Sequence, residues 1–220
     1  HVTSFFHANI MQYFFNSVLV TVVTIILTVI IAAMSSYAIS RMIWKGRELT
    51  LKLVLMGMMV PIHAAMLPLF IILSKAHMLN SYVSLIIPYI AFGLPMAIYL
   101  FISFMESLPR EMEEAAAIDG CGIYQMFFKI IFPLIRPAIA TVSIFTFISS
   151  WNELMFAVTF INKSQYKTLT VGIMSMVGAY TTKWGEIGAG LMIATIPTVI
   201  MYLLLSEQVQ QSLVAGAVKG

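Results

Sequence analysis

An all-α membrane protein is the fold class this sequence predicts, on three observations. Hydrophobic residues make up 60% of its 220 residues and charged residues only 10%. Its mean hydropathy is +0.96. Its apolar residues also fall into runs of about 20, the length a helix needs to cross a hydrocarbon core. Such a chain has too little polar surface to fold as a water-soluble globule. The single cysteine, Cys121, excludes an internal disulfide framework, and no Cys/His spacing points to a metal. The net charge of +3 comes from scattered basic residues and makes no stripe of the kind nucleic acid needs.

Five spans are expected, over Phe14–Tyr37, Leu53–Leu73, Val83–Phe104, Pro137–Phe160 and Ile187–Leu205, within a helical core of about residues 12–206. The second carries Pro61 and Pro68 and the third Pro88 and Pro95, which remove backbone donors and bend helices or adjust their packing. The 17 methionines and 15 phenylalanines read as lipid-facing or interhelical packing.

Basic residues in the short connections set the orientation. Arg41, Lys45, Arg47, Lys52, Arg110, Lys129, Arg136 and Lys219 fall on one side, against Lys75, Lys163, Lys167 and Lys183 on the other. The richer side is assigned to the cytoplasm, with the loop 106–136 and a C-terminal tail, 207–220. The N-terminus then lies outside, and a preceding span is expected ahead of His1.

The most informative segment is the polar island from Glu114 to Pro133. Pro109 suits the first turn of a helix, Glu111, Glu113 and Glu114 suit its positive end, and Gly120 suits the left-handed position that stops it. Ile123, Met126, Phe127, Ile130 and Ile131 recur at helical spacing, and Pro133 with Pro137 turns the chain back toward the membrane. A surface helix-turn-helix is predicted, with Ala115, Ala116 and Ala117 small enough for close approach of a partner. The same pattern also fits an interfacial hairpin without a partner.

This segment resembles the cytoplasmic signature of permeases of ATP-driven importers: Glu-Ala-Ala, three residues, Gly, nine residues, Ile, one residue, Leu-Pro. Glu114, Ala115, Ala116, Gly120, Ile130 and Pro133 match it, with Phe132 in place of Leu and Cys121 in place of a small Ala. The resemblance runs through most of the chain. Asn16-Ser17, Ser36-Tyr37-Ala38, Pro61, Pro68, Trp151-Asn152-Glu153, Thr168 to Gly172, Trp184-Gly185 and the tail Ala215 to Gly220 look like the smaller permease subunit of maltose-type oligosaccharide importers. That subunit normally has six spans, so the fold implied is a type I ABC importer transmembrane domain over 1–220, with five helices visible and a sixth preceding them.

The resemblance implies a subunit of a heteromeric importer in a bacterial cell membrane. Its partners would be a second, homologous permease, two ATP-binding subunits, an extracellular or periplasmic solute-binding protein and an oligosaccharide. The ATPases would dock on Glu114, Ala115, Ala116, Asp119, Gly120, Ile130 and Pro133, with Gly216 and Lys219 in the tail as further contacts. No phosphate-cradling Gly-x-x-x-x-Gly-Lys-Ser/Thr loop is present, so ATP and Mg belong to the partner chains and this one binds no cofactor. Closure of the ATPases would move the docked helix as a lever and switch the pathway between inward-open and outward-open.

Glu153 is the only acidic residue well inside an expected span. Trp151 is suited to stacking on a sugar ring and Asn152 and Glu153 to bonding its hydroxyls. Both polar residues fit interhelical links better than sugar contacts. His63 and His77 receive no role. Three other readings compete: a permease for a non-sugar solute, an ion-coupled secondary transporter, which would require paired ionisable residues at the midplane, and a membrane scaffold or receptor without transport, which would leave the docking loop without a role.

Overall fold

The computed structural model describes residues 9–177 and 184–217, with side chains through residue 204. The described residues run through α1 (Ile10–Arg41), α2 (Arg47–Gly57), α3 (Met66–Lys75), α4 (Val83–Met105), α5 (Glu111–Ile118) and α6 (Ile123–Met126). A π-helical turn, Phe127–Ile131, leads into α7 (Phe132–Leu134), followed by α8 (Arg136–Trp151), α9 (Met155–Phe160), α10 (Leu169–Met174) and α11 (Trp184–Ala217). Among the described residues three stretches, Ile10–Arg41, Val83–Met105 and Trp184–Leu204, are single helices long and apolar enough to cross a membrane. Ile123–Leu134 with Arg136–Trp151, bent by 75°, adds a fourth if counted as one.

Two of the expected spans are therefore corrected. Leu53–Leu73 is not continuous: α2 ends at Gly57, residues 58–65 turn around Pro61, and α3 restarts at Met66. Pro61 cannot donate to the helix, whereas Pro68 sits in the first turn of α3, where its donor would have no intrahelical partner. Pro137–Phe160 is also broken, at Asn152–Leu154, between α8 and α9. By contrast α4 runs unbroken through Pro88 and Pro95. The fifth expected span lies inside α11, whose helix continues to Ala217, through most of the expected tail.

The chain divides into two compact units interleaved along the sequence. The first comprises His1–Ile25, Pro61–Ile90 and Thr146–Leu203. Its core joins Ile10, Phe147, Trp151, Leu169, Ile173, Met176 and Ile187. Two asparagines clasp the connection between α9 and α10. Asn16 Nδ2 donates to the carbonyls of Gln165 and Lys167, both at 2.9 Å, while Tyr82 donates its hydroxyl proton to Asn16 Oδ1 at 2.8 Å. Asn80, at φ 58°, accepts from the amides of Asn162 and Lys163.

The second unit comprises Ile26–Val60, Ala91–Phe145 and Leu204–Gly220. Ala32, Ala33 and Ser36 of α1 are fully buried, and the Ser36 hydroxyl donates to the Ile98 carbonyl of α4 at 3.1 Å. Small residues let two helix backbones approach in a medium where lipid offers no hydrophobic incentive to associate, so packing and polar links carry the contact. Phe101, Met105, Phe127, Ile131 and Ile135 complete this core.

Candidate coupling site

The predicted helix-turn-helix forms within the second unit. Three carboxylates, Glu111, Glu113 and Glu114, occupy the first turn of α5, where the helix dipole favours negative charge. Its end is a Schellman turn. The Cys121 amide donates to the Ala116 carbonyl at 2.9 Å and the Gly120 amide to Ala117 at 3.1 Å, with Gly120 at φ 81°. A Cβ at Gly120 would meet no atom of the chain within 4 Å, so the glycine is required by conformation and not by crowding.

The hairpin presents a mixed acidic and apolar face. Glu111, Glu114, Ala115, Ala117, Asp119 and Gly120 are exposed, as are the large apolar residues Met112, Ile118, Ile123, Tyr124 and Phe128. Ile118 is 87% exposed and Tyr124 75%, far more than an apolar side chain keeps when it has a partner within its own chain. Ala116 points inward and is buried, while Ile130 and Pro133 are half-buried on the return arm. That arm is anchored by Phe127, whose ring centroid lies 4.9 Å from that of Phe128 and 5.8 Å from that of Phe132. The chain then bends at Ile135, ahead of Pro137.

A residue assigned above only to the charge count proves to hold this site. The Arg41 guanidinium donates to the carbonyls of Met105 and Leu108 and pairs with Glu113 of α5, Nε to Oε1 at 3.3 Å. No local signal in the sequence marks this arrangement, because Arg41 and Glu113 come from separate helices.

Trp151, Asn152 and Glu153 lie in the first unit, at the break between α8 and α9. Trp151 is buried, its indole N–H donating to the Ala194 carbonyl at 3.0 Å and its ring stacked on Phe147 with centroids 5.5 Å apart. Glu153 Oε1 accepts from the Phe156 amide at 2.7 Å, and Oε2 accepts from the Ala157 amide at 3.1 Å and the Tyr89 hydroxyl at 2.7 Å. The carboxylate thus caps α9. Asn152 is exposed and donates to the Ile148 carbonyl at 2.9 Å. His63 is exposed in the turn ahead of α3. Gly216 falls within the last turn of α11, and Lys219 lies outside the described residues. Among the described residues no cluster of His, Cys, Asp and Glu has metal-binding geometry.

Helices long and apolar enough to cross a membrane, with an exposed acidic-apolar hairpin among them, define the class as a helical membrane protein. The profile of the binding-protein-dependent transport system inner membrane component family matches residues 30–216, and the chain belongs to that family. It is 38% identical over 217 residues to the probable ABC transporter permease protein YurM of Bacillus subtilis, covering 99% of this chain and 72% of YurM. It is 35% identical over 222 residues to the sulfoquinovosyl glycerol transport system permease protein SmoH of Agrobacterium fabrum, covering 97% and 78%. It is 36% identical over 209 residues to the trehalose/maltose transport system permease protein MalG of Thermococcus litoralis, covering 94% and 75%. The fold is that of a chain in a bacterial ABC transporter that imports the acidic polysaccharide alginate, at a TM-score of 0.78 and 23% identity, covering 90% of this chain and 74% of that one. The chain is therefore an inner-membrane transport permease and not a catalytic subunit.

Proposed function

We propose that this chain is one of two related permease subunits of an ATP-driven oligosaccharide importer, and that α5 and the return arm dock on a separate ATP-hydrolysing subunit at the cytoplasmic face. The observation that supports the reading most strongly is the exposed hairpin, with Glu114, Asp119 and Gly120 beside Met112, Ile118 and Tyr124. An amphipathic helix of this kind is suited to a groove on a partner. A sugar is supported by the substrates for which relatives matching nearly the whole chain are named: sulfoquinovosyl glycerol for SmoH, diacetylchitobiose for NgcG of Streptomyces coelicolor, and trehalose/maltose for MalG. ATP and Mg would be held by the partner subunits, and a solute-binding protein would deliver the sugar from outside.

In this mechanism ATP-driven closure of the ATPases displaces α5, and the permease pair alternates between inward-open and outward-open states. Asn152 offers the pathway an exposed amide at the α8–α9 break, with Trp151 and Glu153 holding the break in place. The bonded state of Glu153 counts against an ion-coupled transporter, because a carboxylate already holding two amides and a tyrosine hydroxyl is poorly suited to release and rebind a coupling ion.

Reconstitution of the complete complex in liposomes, with uptake measured for a panel of di- and oligosaccharides, amino acids and phosphate, tests the assignment. ATP-dependent uptake confined to saccharides is expected. Uptake of an amino acid or phosphate instead would move the chain to a non-sugar importer, and uptake driven by an ion gradient without ATP would overturn the importer reading.

A further inference from the structure

Arg41 closes α1, and its guanidinium is the meeting point of three elements. It takes the carbonyl of Met105, the last residue of α4, and that of Leu108 at 2.8 Å. The Met105 carbonyl is one of the C-terminal carbonyls that a helix cannot satisfy internally and that a cation stabilises, and the Leu108 carbonyl lies in the turn that follows α4. It also lies 3.3 Å from Glu113 in the first turn of α5, and the two side chains are only 4% and 15% exposed. About one turn earlier, Tyr37 holds the other arm of the hairpin. Its hydroxyl donates to Met126 Sδ at 3.2 Å, and its ring centroid lies 5.4 Å from that of Phe127.

We infer that Arg41 and Glu113 are positioning residues for energy coupling: they make the end of α1 the part of the membrane helices to which movement of the docked α5 is delivered. This inference rests on the docking role proposed above for the hairpin. An exposed ion pair would add little here, since such pairs are screened and cost side-chain freedom. A desolvated pair is different, because loss of one partner leaves a charge without compensation and frees the other side chain. With both arms of the hairpin attached to the last turns of α1, a shift of α5 moves Arg41, and Arg41 carries α1 together with the end of α4. Rigid elements joined in this way can pass a displacement on, provided the joint itself does not slip.

The test uses the assembled complex of permeases and ATPases in proteoliposomes, with sugar-loaded binding protein added outside. Two quantities are read for each variant: ATPase co-purified per permease, and the fold-stimulation of ATP hydrolysis by the loaded binding protein. Glu113→Gln keeps the side chain's shape and removes its charge. In that variant the ATPase is expected to remain bound while stimulation falls at least about fivefold, the low end of ordinary coupling between sites. Arg41→Gln is expected to lose stimulation equally, and Arg41→Lys, which keeps the cation, to recover part of it. Full stimulation in Glu113→Gln overturns the inference, as does loss that only tracks loss of bound ATPase. Where Arg41→Gln fails to assemble, Glu113→Gln and Arg41→Lys decide. Glu114→Arg on the exposed face separates the two levels. If that variant keeps its ATPase and its stimulation, the docking reading itself fails. If it releases the ATPase while Glu113→Gln remains fully stimulated, only the inference about Arg41 and Glu113 fails.

Discussion

Replacement of Glu153 with Ala removes three acceptor contacts at once, and the structure supplies the terms for its cost. The carboxylate receives the Phe156 and Ala157 amides at the start of α9, and loss of such a cap costs about 1 kcal/mol. It also receives the hydroxyl of Tyr89, a residue only 7% exposed, and stranding a buried hydroxyl costs about 1–3 kcal/mol. Together these give about 2–4 kcal/mol, with Gln in place of Ala recovering part through its amide oxygen. For a chain of this size each kcal/mol lowers the melting temperature by about 2–4 °C. Thermal melting of the detergent-purified complex should therefore fall by at least about 4 °C for Glu153→Ala and by less for Glu153→Gln. Tyr89→Phe leaves the two amide bonds intact and should stay within about 1.5 kcal/mol of the parent. If Glu153→Ala melts with the parent protein yet abolishes uptake, the carboxylate acts on sugar or ion and its capping role is refuted.

Two further perturbations probe the same unit. A Cβ at Gly172 would lie 2.3 Å from Cδ2 of Tyr13, whose ring is buried and whose hydroxyl is 2.8 Å from Ser164 Oγ. Gly172→Ala should thus destabilise by about 1–3 kcal/mol, and Tyr13→Ala in the same chain should make the two changes non-additive in thermal melting. Asn16→Ala frees the carbonyl of Lys167 and leaves that of Gln165 only its longer bond from Gln12, so amide hydrogen exchange across residues 163–168 should accelerate while exchange in α4 stays unchanged; unaltered exchange in that connection would show that its other contacts hold it without Asn16.

Much of this was legible in the sequence where a local rule governs the outcome. The membrane class followed from composition. The limits of α5 followed from the acidic first turn and Gly120, each of which acts within a few residues of itself, whereas Pro109, expected in the first turn, lies just ahead of the Arg110 cap. Rules of this kind failed at the α8–α9 break. No proline or glycine stands at residues 152–154, and the interruption depends on Glu153 capping α9 while its carbonyl accepts from the Thr170 hydroxyl, 17 positions away. Hydropathy alone reads an unbroken span there. Proline misleads in the opposite direction in α4, which runs unbroken through Pro95, whose ring packs close against Gly57, where a Cβ would lie 3.1 Å from the proline Cγ. The Glu114 to Pro133 hairpin was visible as a motif, but its attachment was not. Arg41 entered the reading as one of twelve basic residues, and only the fold brings it to Glu113 and the end of α4.

The claim that the Glu114 to Pro133 hairpin seats an ATPase is tested most directly by purifying the tagged chain from its native membrane and identifying by mass spectrometry what accompanies it. The parent chain should bring an ATP-binding subunit and a second permease. A Glu114→Arg, Gly120→Val chain places a cation on the acidic face and a β-branched residue at φ 81°, a conformation it adopts poorly, and should retain the permease while losing the ATPase. Equal recovery of the ATPase with both chains, or recovery of the parent chain alone, would contradict the account.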